Sequence, residues 1–367
     1  MAAPAMPTTR APVAAPAPAS ASDPKATLQT FADGLAILLL NLSAWQDPNA
    51  EQRNRLMIAL KSLKGIANDV QPLLLATPAD PVMPYVSFEL SKQLLRLEAA
   101  ISAGTFQYAR YLLRQITHYT VPGQAGQTGK TVGALSFTDA PANLGELEKA
   151  DYYAAIKRYD EAMLAYERVL NDKQFRIKRP EVWERAIENL MAITIRVRND
   201  PHITLEMTSA LREEAASNPT QKELLQAWRS SAKAWTTEAP NQKLNGAEIL
   251  NKAQQIFEKG NQQANKGRDR GAIEYLRALT LINELALSQE TDALKAKGFL
   301  LSGRTSEKLR NVFVWMEADT YYEACIRARP HSAEARECLK LLETYQKQQK
   351  DVIPDHEKQK QLAELAR

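Results

Sequence analysis

Residues 147–170, LEKADYYAAIKRYDEAMLAYERVL, decide the fold. Leu147, Ala150, Tyr153 and Ala154 recur three or four residues apart, which places them on one face of a helix. After a short break Ala162, Tyr166 and Val169 do the same. The stretch therefore reads as two antiparallel helices joined by a tight turn. Ala150 and Ala162 are small where the helices cross, and Tyr153, Tyr159 and Tyr166 fill the space around them. A lone hairpin cannot bury both of its faces, so it implies further hairpins stacked beside it. The expectation is an all-α chain with a helical solenoid, an architecture that presents surface to partners.

The spacing returns downstream. In 247–284 Gly260 takes the small crossing position, Ala272 the small position of the second helix and Leu276 the large one. The Gly260–Ala272 interval is twelve residues, as is Ala150–Ala162. A third unit carries Ala318, Tyr322, Cys325 and Pro330 at offsets 0, 4, 7 and 12. These runs resemble the tetratricopeptide repeat, whose pattern asks for small, aromatic, small and proline there. The first helix of that third unit is expected near Thr291–Arg310, with the apolar insertion Val312–Trp315 shifting the register. Between these units, Arg179-Pro180-Glu181 opens a helix with Trp183, Ala186, Leu190 and Ile193, and Asn199-Asp200-Pro201 closes it. Helices over 203–217 and 221–235 continue the stack, and Thr236–Gly246 is a loop. Ser332 caps a helix running to about Gln348. The repeats thus span 143–348, and 349–367 reads as a polar tail that frays.

The first half is organised differently. Residues 1–23 are rich in Ala and Pro, without the apolar core of an intact signal peptide, and read as an extended tether. Such a segment is common just after the cleavage site of an exported or lipid-anchored bacterial protein; a cytoplasmic chain with an unstructured start is the alternative. Residues 24–119 hold four apolar-striped segments: one opening at Asp23-Pro24 and running to about Trp45, one opening at Asp47-Pro48, one after Asp80–Pro84, and one from Phe106 to about Tyr119. Short connections favour an up-down-up-down four-helix bundle. Residues 120–142 read as a Gly/Pro-containing linker. Gly126–Thr131 suggests a phosphate-binding loop, but the first glycine stands in the wrong place and no strand precedes it.

Two groups of words suggest a family. One is Leu97-Glu98-Ala99-Ala100 followed by Gly104–Arg110; the other is Ala150–Ala155, Ile195–Pro201 and Tyr322–Ile326. Together they resemble exported bacterial proteins that join a cytochrome c′-like four-helix domain to tetratricopeptide repeats. Membership implies CxxCH at the end of the fourth helix. Here that stretch is Thr117-His118-Tyr119-Thr120-Val121-Pro122-Gly123, and CxxCH occurs nowhere in the chain. The resemblance therefore implies a haem-free bundle, with His118 a solvated or capping residue. Non-covalent haem, serving a redox accessory role, is the alternative.

Composition excludes several classes. A net charge of +4 without a long basic run argues against nucleic acid as a partner. The longest apolar run, Leu35–Leu42, is interrupted by Asn41 and too short to span a bilayer. Four scattered histidines, none with another three or four residues away, remove the simplest helical metal sites. HExxH and GxSxG are absent from the sequence, so neither catalysis nor a cofactor is expected. The two cysteines, Cys325 and Cys338, bracket the turn at Ala328–His331; they form a disulfide, which suits an oxidising compartment, or stay buried thiols. What remains is protein binding, with a membrane tether through the N-terminus and a periplasmic or outer-membrane location. In a tetratricopeptide array the first helix of each hairpin lines the groove. That register puts Leu147, Asp151 and Ala154, and Phe257, Asn261 and Asn265, against a partner. The tryptophans Trp183, Trp228, Trp235 and Trp315 are assigned to packing.

Overall fold

The computed structural model describes residues 23–42, 46–75, 80–121, 135–211, 219–238, 244–267, 269–309, 316–349, 353 and 355–367. Among them are sixteen α-helices and one 3-10 turn, and no strand. The expected tether (1–22), the end of the first helix at Trp45, most of the glycine-containing linker (122–134), residues 212–218 and the insertion Val312–Trp315 lie outside the described residues.

The first four helices are α1 (Pro24–Asn41), α2 (Ala50–Leu75), α3 (Leu90–Ser102) and α4 (Phe106–Thr120). Asp23 starts α1 by accepting from the Lys25 amide at 3.0 Å, with Pro24 in the first turn, where its missing N–H costs nothing. A 3-10 turn, Met83–Tyr85, precedes α3. Gly104, at φ +74°, makes the left-handed turn that folds α4 back on α3. Each helix packs on the next in sequence. Their shared core includes Phe31, Leu35, Leu60, Leu63, Leu94, Leu97, Leu112 and Ile116, all fully buried.

The rest is helix pairs: α5 (Glu146–Ala155) with α6 (Tyr159–Asn171), a short α7 (Lys173–Lys178), α8 (Pro180–Arg196), α9 (Pro201–Ala210) with α10 (Pro219–Thr236), α11 (Gly246–Ala264) with α12 (Ala272–Leu287), α13 (Asp292–Ser306) with α14 (Ala318–Ala328), and α15 (Ala333–Gln348) with α16 (His356–Ala366). In the last three pairs α11 touches α13, α13 touches α15, and α14 touches α16, so they lie side by side. Residues 356–366, expected to fray, instead form α16. Leu362 and Ala366 are each 1% exposed, and the Asp355 side chain caps the helix by accepting from the Lys358 amide. The polar surface of that segment hid two apolar residues four apart, sufficient to dock one face.

Three hairpins share a device. Tyr166 donates to Asp151 Oδ1 at 2.6 Å, Tyr275 to Asn261 Oδ1 at 2.9 Å and Tyr322 to Glu307 Oε1 at 2.5 Å. In each, a tyrosine of the second helix reaches a polar residue at or near the end of the first. Small residues let the helices come close enough. A Cβ on Gly260 would lie 2.7 Å from Tyr275 Cε1, and one on Gly303 would lie 2.3 Å from Tyr322 Cε1. Gly260 was expected at such a crossing; Gly303 was not.

The four-helix unit is not held apart from the pairs. Ala36 of α1 is buried with Tyr152 and Ile156 of the first hairpin. Lys157 Nζ, in the turn after α5, donates to the Val121 carbonyl just beyond α4. At the other end of the chain, Ser87 N donates to Glu323 Oε1 at 2.8 Å, Arg114 pairs with Glu317 at 2.7 Å and Lys92 with Asp355 at 3.0 Å. Tyr111 donates to Asp319, and the rings of Tyr85 and Phe299 stand 5.2 Å apart.

Candidate functional site

Asp151 is 9% exposed, accepts from Tyr166 at 2.6 Å and receives Asn189 Nδ2 at 3.5 Å. Burial first, then the Asp151 carboxylate, pushes the Tyr166 phenol well above its ordinary range. Leu147 and Ala154 are buried too, in one cluster with residues of α6 and α8. Phe257, 6% exposed, packs on Tyr275 with ring centroids 5.7 Å apart. Asn261 is half-buried between Tyr275 and Glu258, to which it donates at 3.2 Å. Asn265, capping the end of α11, is exposed. Asp151 and Phe257 therefore do not face a partner: both are occupied within the chain. The register of the sequence was right about which helix they sit on, but it carried no signal that Tyr166, Asn189 and Tyr275 would occupy them.

An open groove exists elsewhere, among α6, α7, α8 and α9, with a volume of about 830 Å³. Met163 and Leu170 form one wall, Ile203, Met207 and Ala210 the other, and Trp183, Leu190 and Thr194 the floor. Its local causes can be traced. The short helix α7, which the sequence reading missed, sits between α6 and α8. Asp200 fixes the start of α9 by accepting from the amides of His202 at 2.7 Å and Ile203 at 3.2 Å. Thr204 and Thr194, with hydroxyls 3.3 Å apart, tie α9 to α8 beneath the groove. Trp183 is fully buried as expected and donates its indole N–H to the Leu170 carbonyl at 3.2 Å.

Met163, Met207 and Ile203 give the mixed lining an adaptable apolar part of the kind protein-binding grooves use. Ile203 is 36% exposed. Lys173 and Arg176 of α7, Glu167 of α6 and Glu206 of α9 bring charges of both signs to the lining. The one available sequence signal was the basic run Lys173–Arg179, which breaks the repeat spacing between two helices that otherwise fit it.

Cys325 and Cys338 are joined by a disulfide linking α14 to α15, with sulfurs 2.08 Å apart. His118, expected solvated at a helix end, is 6% exposed. No group of three or more His, Cys, Asp or Glu suited to a metal occurs among the described residues, and none of the described helices is long and apolar enough to cross a membrane. No family model, curated protein or solved structure matches the chain.

Proposed function

We propose that this chain is a non-catalytic scaffold or adaptor of the bacterial cell envelope, binding other proteins through its tetratricopeptide-like helix pairs. The observation that carries the reading is the α6–α9 groove: an open trough where two methionines and other apolar side chains lie beside charged ones, on a molecule whose first and last hairpins are covered by its own N-terminal helices. The disulfide and the Ala/Pro-rich start support an exported location. A photo-crosslinking amino acid placed at Met207, with an exposed control at Ile58 on α2, tests it in cells expressing the full chain. Discrete protein adducts from position 207 alone are expected. Equal labelling at both positions, or none at 207, refutes protein binding by this groove. Free thiols at Cys325 and Cys338 in protein trapped from its native source would refute the envelope location.

A further inference from the structure

We infer that the α6–α9 groove takes an amphipathic helix of a partner protein whose apolar stripe is flanked at one end by carboxylates. The inference rests on the protein-binding reading above and specifies the chemistry of the occupant. Lys173, Arg176 and Lys178 fall within the six residues of α7, and none makes an ion pair among the described residues. Nearby cations behave differently: Arg158 pairs with Asp139 and Glu161, Arg168 with Glu146, Arg198 with Asp160, and Arg179 with Glu181. Two of these unpaired positive charges, Lys173 and Arg176, thus enter the groove lining together from α7. Like charges this close raise the energy of the unbound surface, and carboxylates brought by a partner relieve it.

Glu167 of α6 and Glu206 of α9 line the same groove. A uniformly anionic occupant would meet those carboxylates, which argues for a polarised peptide and against a lipid surface. The Met163–Leu170 and Ile203–Met207 walls run along two helices, and the methionines can repack around side chains spaced three and four apart on an entering helix. Such a helix of about 18 residues is roughly 27 Å long.

Fluorescence anisotropy of the full chain with two labelled peptides tests this. Both are helix formers of about 18 residues with the same leucine stripe; one ends in glutamates, the other in lysines. The glutamate peptide is expected to bind about tenfold tighter or better, and added salt to shrink the difference. The double variant Lys173→Glu, Arg176→Glu should erase or invert the preference. Met207→Asp, with Ile203→Asp as a more exposed second variant, should abolish binding of both peptides; circular dichroism confirms that each variant is folded. Equal affinity for the two peptides, lost in Met207→Asp and Ile203→Asp, would overturn the acidic partner while leaving the groove as a protein site. Binding untouched by both apolar-wall variants, or absent for both peptides, would overturn the groove itself. Capture of anionic phospholipid vesicles, lost in the charge-reversal variant, would reassign the basic end to a membrane surface and overturn the inference.

Discussion

Lys157 offers a quantitative test of how the N-terminal helices seat on the first hairpin. It is 5% exposed, sits at φ +60° in the turn after α5, and gives its ammonium to the Val121 carbonyl. Burial pushes its pKa down from 10.5 to about 8, and the attraction of Asp80 opposes that only in part. The folded pKa lies below the unfolded one, so between pH 8 and 10.5 the unfolded chain holds more proton. Stability therefore rises with pH across that window, and the gain is lost as pH falls through 8. At about 1.4 kcal/mol per pKa unit, the shift amounts to about 3 kcal/mol at neutral pH, an order-of-magnitude figure. Tyrosines begin to titrate near 10, so the clean interval is pH 8 to about 9.5, worth about 2 kcal/mol. Urea unfolding followed by tryptophan fluorescence, for the natural chain and Lys157→Met at each pH, isolates the effect. Every other titrating group cancels in the difference. The natural chain should gain stability relative to the variant as pH rises through this interval. Parallel pH profiles would refute the claim that Lys157 remains buried and charged at neutral pH.

Other expectations are as specific. At Gly303, alanine would place a Cβ 2.3 Å from the Tyr322 ring, so Gly303→Ala should destabilise by about 1–3 kcal/mol in thermal melts. Gly65 on α2 has nothing within 4 Å of such an atom, so Gly65→Ala should stabilise by roughly 0.5–1 kcal/mol. Reducing the Cys325–Cys338 bond, which spans 13 residues, should remove about 3 kcal/mol by loop entropy, read as a lower unfolding midpoint in the presence of a thiol. Asp319 is pushed up to about 6, chiefly by burial against α4, with hydrogen bonding from Tyr111 opposing. Its contribution is fully present below pH 3.8 and lost as pH rises through 6. Asp319→Asn should therefore flatten the stability profile between pH 4 and 7, and an unchanged slope would exclude it as the titrating group.

Much of the helix inventory was legible because helical spacing is local. Ala150, Ala162, Gly260 and Ala272 announced where helices cross, and Asp23-Pro24 and Asp200-Pro201 marked helix starts through capping chemistry that involves only neighbouring residues. What was not legible depends on distant contacts. Whether Asp151 meets a partner or its own chain turns on Asn189 of α8 arriving from 38 residues away, and no periodicity encodes that. Helix α16 was missed because its buried residues are few and its charges many. Helix α7 was missed because six residues are too short to establish a period.

The first hairpin and the last both lean on one N-terminal body. A stack of helix pairs that touched only its neighbours would tolerate lengthening, because duplicating an internal unit adds neighbours without disturbing the ends. Here an extra helix pair would drive apart two surfaces that Lys157–Val121 and Arg114–Glu317 hold to a shared anchor. The number of helix pairs is thus fixed by closure, and a duplication would have to break one of those clasps to be accommodated.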